Sequence, residues 1–175
     1  MLALINAYEL VRDFMERGGP VLFVIFVAIL VLWAMVLERM IYFKTGHNVQ
    51  VNEVMGTWEG RKERTSWYAH KIREAMISQI NMDLRGSLPH IKTLVAVIPL
   101  MGLLGTVWGM IEVFDVLSVM GSANVKAMSA GISKATIPTM AGMVGALSGV
   151  FAASYIEARV DKMAELVEDH LTMDH

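Results

Sequence analysis

Three long runs without a single charged residue dictate most of what this chain can fold into. Between Arg17 and Glu38 lie 20 such residues, GGPVLFVIFVAILVLWAMVL. Between Lys92 and Glu112 lie 19, TLVAVIPLMGLLGTVWGMI, and between Lys134 and Glu157 lie 22, ATIPTMAGMVGALSGVFAASYI. A hydrocarbon layer about 30 Å thick needs about 20 helical residues at about 1.5 Å each. A soluble bundle would need a polar face on each helix, and these runs have none. The first run is long for a secretory h-region and ends in WAMVLER rather than a small-residue cleavage site. The expectation is an all-α integral membrane protein with three transmembrane helices, the second and third extended into the cytoplasm.

Charge placement orients those helices. Nine Lys and Arg lie between the first two charge-free runs: Arg39, Lys44, Arg61, Lys62, Arg64, Lys71, Arg73, Arg85 and Lys92. Arg12 and Arg17 precede span one, and Lys126 alone separates spans two and three. The positive-inside rule then puts the 44–92 segment and the tail in the cytoplasm and the N-terminus outside. The expected segments are an outer (periplasmic) interfacial helix at 1–19, spans at 20–43, 93–120 and 128–156, and a cytoplasmic helical loop at 44–92. An outer link at 121–127 and a cytoplasmic helical tail at 157–175 complete them.

Stripes of apolar residues fill in the rest. Leu2, Ile5, Leu10, Val11, Phe14 and Met15 share one helical face and predict a short helix lying on the membrane, broken at Gly18-Gly19-Pro20. Val51, Val54, Met55 and Trp58 form a second stripe, and Trp67, Ile72, Met76 and Ile80 a third, with Arg61–Arg64 as the solvated turn between two amphipathic helices. Ile156, Val160, Met163 and Val167 continue span three into the tail. Span one itself shows little to distinguish its faces.

Composition excludes several functions. With a net charge of −2 there is no basic footprint for nucleic acid. The absence of cysteine removes thiol chemistry, and His47, His70, His90, His170 and His175 have no metal-ligand spacing. No phosphate loop, nucleophile elbow or paired carboxylates appear. Neither an enzyme nor a bound cofactor or metal is expected.

Spans two and three carry the signal. Pro99, Gly102, Gly105, Thr106 and Gly109 lie in span two; Thr136, Pro138, Thr139, Gly142, Gly145 and Gly149 lie in span three. The pairs Gly105/Gly109 and Gly145/Gly149 are small-residue spacings that let membrane helices approach closely. Ser129, Ser133, Thr136 and Thr139 recur at spacings of four, three and three and fall on one face. Such a hydroxyl stripe fits a polar cavity or partner, although a lone membrane hydroxyl often bonds the carbonyl one turn back.

These motifs carry a family resemblance. PLMGLLGTVWGM (Pro99–Met110) closely resembles the signature of ExbB and TolQ, AGISKATIPTMAG (Ala130–Gly142) resembles the opening of their third span, and W-x-x-x-x-E-R (Trp33–Arg39) the end of their first. The likeness covers roughly residues 20–160 and extends to MotA, whose four spans make three spans more like the ExbB/TolQ branch. The resemblance implies a bacterial inner-membrane, homo-oligomeric ring, a pentamer, whose second and third spans line a pore. It implies an ExbD- or TolR-like single-span partner carrying a membrane aspartate, and a TonB- or TolA-like protein that receives the work. The function implied is a proton-motive-force-driven energy transducer that powers transport across the outer membrane, such as iron–siderophore uptake. The alternatives are a TolQ-like role in envelope integrity and a non-conducting scaffold; a small-solute transporter is weakened because no repeated half is present.

By motif position, Thr106 and Thr139 match the family's pore-lining threonines, and Ser133 and Thr136 join them on the expected ion pathway. The chain departs from the family at Lys134, where ExbB and TolQ usually carry glutamate, and at Glu112 and Asp115, where such chains are usually uncharged. Its cytoplasmic loop is also shorter. A mid-membrane charge costs about 2.5–3.5 kcal/mol on insertion scales, so these three should find partners. Glu112 and Lys134 fall at nearly one depth and form the expected ion pair, within a subunit or between neighbours. Asp115 is the alternative partner, and the rival role for Glu112 is a second ion-carrying carboxylate. The orientation is tested by single cysteines at Asn6, Thr57 and Thr172 with an impermeant thiol reagent on intact spheroplasts. Asn6 should label before lysis and the other two only after it; labelling of Thr57 on intact cells would contradict the assignment.

Overall fold

The charge-free runs become the middles of helices longer than any membrane requires. The computed structural model describes residues 2–60, 66–120 and 125–170. Four helices follow in order: α1 Leu2–Glu59, α2 Trp67–Arg85, α3 Leu88–Met120 and α4 Val125–His170. Among the described residues, three stretches long and apolar enough to cross a membrane lie within Gly18–Thr45, Trp67–Val119 and Met128–Asp169. The expected turn at Arg61–Arg64 and much of the 121–127 link lie outside the described residues.

Helix α1 changes direction at one residue. Gly19 has φ 68° and ψ −167°, a conformation open to glycine and strained for other residues. Pro20 follows, where its missing N–H costs nothing at the start of a new helical segment. Beyond that bend α1 runs on to Glu59, so the apolar stripe at 51–58 continues span one instead of forming the separate helix expected. The two glycines on the way, Gly46 and Gly56, lower helix propensity by only about 1 kcal/mol each and do not end it.

The chain divides into two units, the first made of Met1–Trp33 and Thr93–Val150. In it Leu22, Ile25 and Leu32 of α1 are buried with Ile98 and Val113 of α3 and Ala135 and Pro138 of α4. The α3–α4 contact is made by absent side chains. A Cβ on Gly102 would lie 3.0 Å from the Pro138 carbonyl oxygen, and one on Gly109 would lie 2.6 Å from Cα of Ala135. Gly105 leaves room for the Pro138 ring, and Gly142 approaches the Ile98 carbonyl and Gly102. The backbone cannot recede as a flexible side chain can, so a bulky residue at Gly102 or Gly109 would overpack the seam by about 1–3 kcal/mol or more.

The second unit comprises Ala34–Lys92 and Phe151–His175. The α4 stripe is buried there at Ile156, Val160 and Val167, beside Trp58, Ile80, Leu84 and Ile91. Ser66 caps α2 by accepting a hydrogen bond from the Ala69 amide. Trp67, assigned to the buried stripe from sequence, is instead exposed, and Ala69, Ile80 and Leu84 are the buried α2 positions. Trp67 occupies the first helical turn and its ring meets Tyr68 edge-on. Arg39 is only 7% exposed. Its guanidinium donates to the Asp83 carbonyl at 2.9 Å, near the end of α2, where a cation complements the helix terminus. Polar pairs join the remaining helices: Arg85 with Asp161 at 2.7 Å and Lys92 with Glu157 at 2.5 Å.

Candidate functional site

On α3 and α4 the polar groups of the first unit flank the glycine seam. Lys134 and Glu112 meet directly, Nζ to Oε2 at 2.6 Å, within one chain. Their side chains remain 40% and 42% accessible, so the pair lies at the edge of the helix contact rather than inside it. The geometry follows from the seam: Gly109 is packed on Ala135, Glu112 lies one turn after Gly109, and Lys134 is the residue immediately before Ala135. The lysine stem also passes the bend in α1, its Cε lying 3.4 Å from where a Gly19 Cβ would be. Asp115, the alternative partner by sequence, is exposed and three residues further along α3.

The hydroxyls divide between two uses. Thr139 donates across the seam to the Gly102 carbonyl at 2.9 Å, an interhelical bond that glycine's missing side chain makes reachable. Thr106 donates to the Leu103 carbonyl at 2.7 Å and Thr136 to the Ser133 carbonyl at 3.0 Å, each within its own helix. Those i−3 bonds satisfy the hydroxyl proton and leave its oxygen able to accept. Ser129, Ser133 and Thr136 lie on the exposed face of α4, whereas Thr106 and Thr139 are half-buried beside the seam. Along that exposed face the hydroxyls give way to Met140, Met143 and Leu147.

The two glycine pairs do different work. Gly105 and Gly109 belong to the α3–α4 seam with Gly102 and Gly142, whereas Gly145 faces Ile29 of α1, and Gly149 faces Leu32 of α1 and Val95 of α3. All of these contacts lie within one chain. Sequence reasoning missed Gly131, packed on Val113, and Ala135, the residue facing Gly109. Their spacing was a usable signal: Gly131, Ala135, Pro138 and Gly142 form one stripe at intervals of four, three and four. Among the described residues no three His, Asp or Glu side chains converge as metal ligands would.

A polytopic helical membrane protein, with two glycine-seamed helices joined by a Lys–Glu ion pair, is the class that this fold and site define. The chain belongs to the MotA/TolQ/ExbB proton channel family, whose pattern it matches over residues 38–169. It is 33% identical over 83 residues to the Tol-Pal system protein TolQ of Haemophilus influenzae, covering 47% of this chain and 36% of that protein. A TolQ of Pseudomonas aeruginosa is 33% identical over 87 residues, covering 50% and 38%. The biopolymer transport protein ExbB of Xanthomonas campestris is 29% identical over 92 residues, covering 53% and 36%. The chain thus matches little more than a third of the length of these relatives. The family is one of proton channels, not of enzymes.

A charge swap tests the pair. Glu112→Lys or Lys134→Glu alone places two like charges together in a membrane span and should lower both thermal stability and yield. The double variant should recover most of the loss, because the pairing energy is symmetric. A double variant no better than either single one would show that the two charges do not act together.

Proposed function

We propose that this chain is the multi-span subunit of an inner-membrane, proton-motive-force-driven energy transducer of the ExbB–ExbD–TonB type. The observation that carries the reading is the Pro99–Met110 signature within a chain of the MotA/TolQ/ExbB family. In this reading several copies, five by resemblance, form a ring with α3 and α4 toward its axis. A single-span ExbD- or TolR-like partner stands in that axis with a membrane carboxylate, and a TonB- or TolA-like protein takes up the motion. The N-terminus faces the periplasm, while the tail and the 44–92 segment, including the ends of α3 and α4, lie in the cytoplasm. The work delivered is transport across the outer membrane, iron–siderophore uptake being one example.

Within that ring Thr106, Thr136 and Ser133 offer hydroxyl oxygens along the ion pathway. Thr139 also offers its oxygen, but its proton is engaged by Gly102. The Lys134–Glu112 pair presents a cation where ExbB and TolQ usually carry a carboxylate. The direct contact of the two side chains favours a fixed electrostatic role for Glu112 over proton carriage. The rival role, a second ion-carrying Glu112, requires the pair to open during each cycle.

A TolQ-like role in envelope integrity is the second reading, favoured by TolQ relatives at 33% identity beside an ExbB at 29%. A TonB-like or a TolA-like chain encoded beside this one distinguishes the two.

Co-expression with the neighbouring single-span protein and native mass spectrometry in mild detergent tests the assembly. A homo-oligomer carrying the partner is expected, and monomers alone would contradict it. Thr106→Val should leave that assembly intact and lower partner-dependent function several-fold, whereas Thr139→Val should also cost about 1 kcal/mol of stability by losing its interhelical bond. Unchanged function in the Thr106→Val/Thr139→Val double variant would remove both hydroxyls from the pathway.

A further inference from the structure

A cleft of about 640 Å³ opens in the first unit between the N-terminal part of α1, the α1 span and α4. Phe14, Phe23, Phe26, Met140, Val144 and Ser148 are among its walls. The single polar wall residue in that group is already satisfied, since Ser148 donates to the Gly145 carbonyl at 2.7 Å. Phe23, Met140 and Val144 are more than half exposed, so the walls are formed but the cleft is open at the side.

Three features say what fills it. The walls after the Gly19 bend, on the α1 span and on α4, belong to charge-free runs, so the medium outside that part of the opening is hydrocarbon and not water. The α4 wall runs from Met140 to Ser148, about 12 Å of helix at about 1.5 Å per residue. One leaflet's acyl layer is half of an approximately 30 Å core, about 15 Å, and matches that depth. The third feature is charge. The helix closing the top, before the bend at Gly19, carries Glu9, Arg12, Asp13 and Glu16 exposed, with Arg12 bonded to Glu16 at 2.8 Å. Such a mixed band complements a headgroup that itself carries both a phosphate and an ammonium. Among the described side chains of that segment, a net-anionic headgroup would meet three carboxylates for one guanidinium.

We propose that this cleft holds one acyl chain of a zwitterionic, ethanolamine-type phospholipid, with its headgroup among Arg12, Glu16 and their neighbours. The lipid fills the wedge that the Gly19 bend leaves under the N-terminal helix and fixes the angle of that helix on the membrane. Arg12 exchanges part of its contact with Glu16 for the phosphate, and a freed carboxylate meets the ammonium. Specificity resides in the headgroup band, and occupancy resides in the shape of the cleft.

Native mass spectrometry of the full chain, released from phosphatidylethanolamine nanodiscs, tests this. One retained phospholipid per chain is expected, with less retention from phosphatidylglycerol discs. Val144→Trp and Ala141→Phe each push a ring into the cleft. A loss of about ten-fold or more in retained lipid is expected, equal to about 1.4 kcal/mol or more of binding. Val31→Phe, on an exposed part of α1 outside the cleft, should retain the lipid as the parent does. Arg12→Gln should reduce the preference for the ethanolamine headgroup without emptying the cleft. Equal retention in the parent and both filled variants would overturn the proposal, as would no retained lipid in the parent. A disulfide between copies through Val144→Cys in native membranes would also overturn it, because a second copy would then occupy the cleft.

Discussion

Two helices in a membrane gain nothing from hiding apolar surface, because the lipid around them is equally apolar. What holds α3 to α4 is therefore close packing, and here it is close because Gly102, Gly105, Gly109 and Gly142 put no side chain between the backbones. Pro138 fits where Gly105 is bare, and Ala135 fits where Gly109 is bare. The rest of the first unit depends on that distance. Only with the backbones this near can Thr139 reach the Gly102 carbonyl, and the same register brings Lys134 within 2.6 Å of Glu112. A wider seam would separate the lysine from the glutamate.

The pair explains how this chain tolerates charges in its spans. An isolated charge is costly at membrane depth, but a lysine and glutamate in direct contact present a net neutral dipole. The pair is partly accessible in the single chain, so it remains available to a polar neighbour. Cross-seam and i−3 hydrogen bonds similarly occupy the protons of Thr106, Thr136 and Thr139 while leaving lone pairs to accept. An arrangement of acceptor oxygens beside a fixed ion pair suits a passage in which a proton is carried by a partner's carboxylate or by water.

Much of this was legible in the residues. The three charge-free runs announced three long helices because 19 to 22 uncharged residues with no polar face match the length of a membrane-crossing helix, and the glycine spacing announced close approach. The tail stripe at Ile156, Val160 and Val167 is buried as its period required. The partners of the glycines were not legible: Gly105/Gly109 and Gly145/Gly149 have identical spacing, yet one pair faces α4 and the other chiefly α1. Nor was the buried stripe of span one, Leu22, Ile25 and Leu32, because Phe23, Val24 and Phe26 beside it are as apolar and face outward. In lipid, hydrophobicity stops distinguishing inside from outside. The burial of Arg39 beside the Asp83 carbonyl was not legible either, since it depends on a residue 44 positions away. The use of Thr139 depends likewise on a carbonyl of another helix, which side-chain spacing does not display.

The central claim is that these spans, joined by their partner, pass protons. It is tested most directly by vesicles that hold the chain with its single-span partner, a pH-sensitive dye inside, and an imposed membrane potential. Proton uptake well above that of empty vesicles is predicted, present only when the partner is included and abolished when its membrane carboxylate is replaced by an amide. An intact complex that passes no more protons than empty vesicles would contradict the account and leave a scaffold in its place.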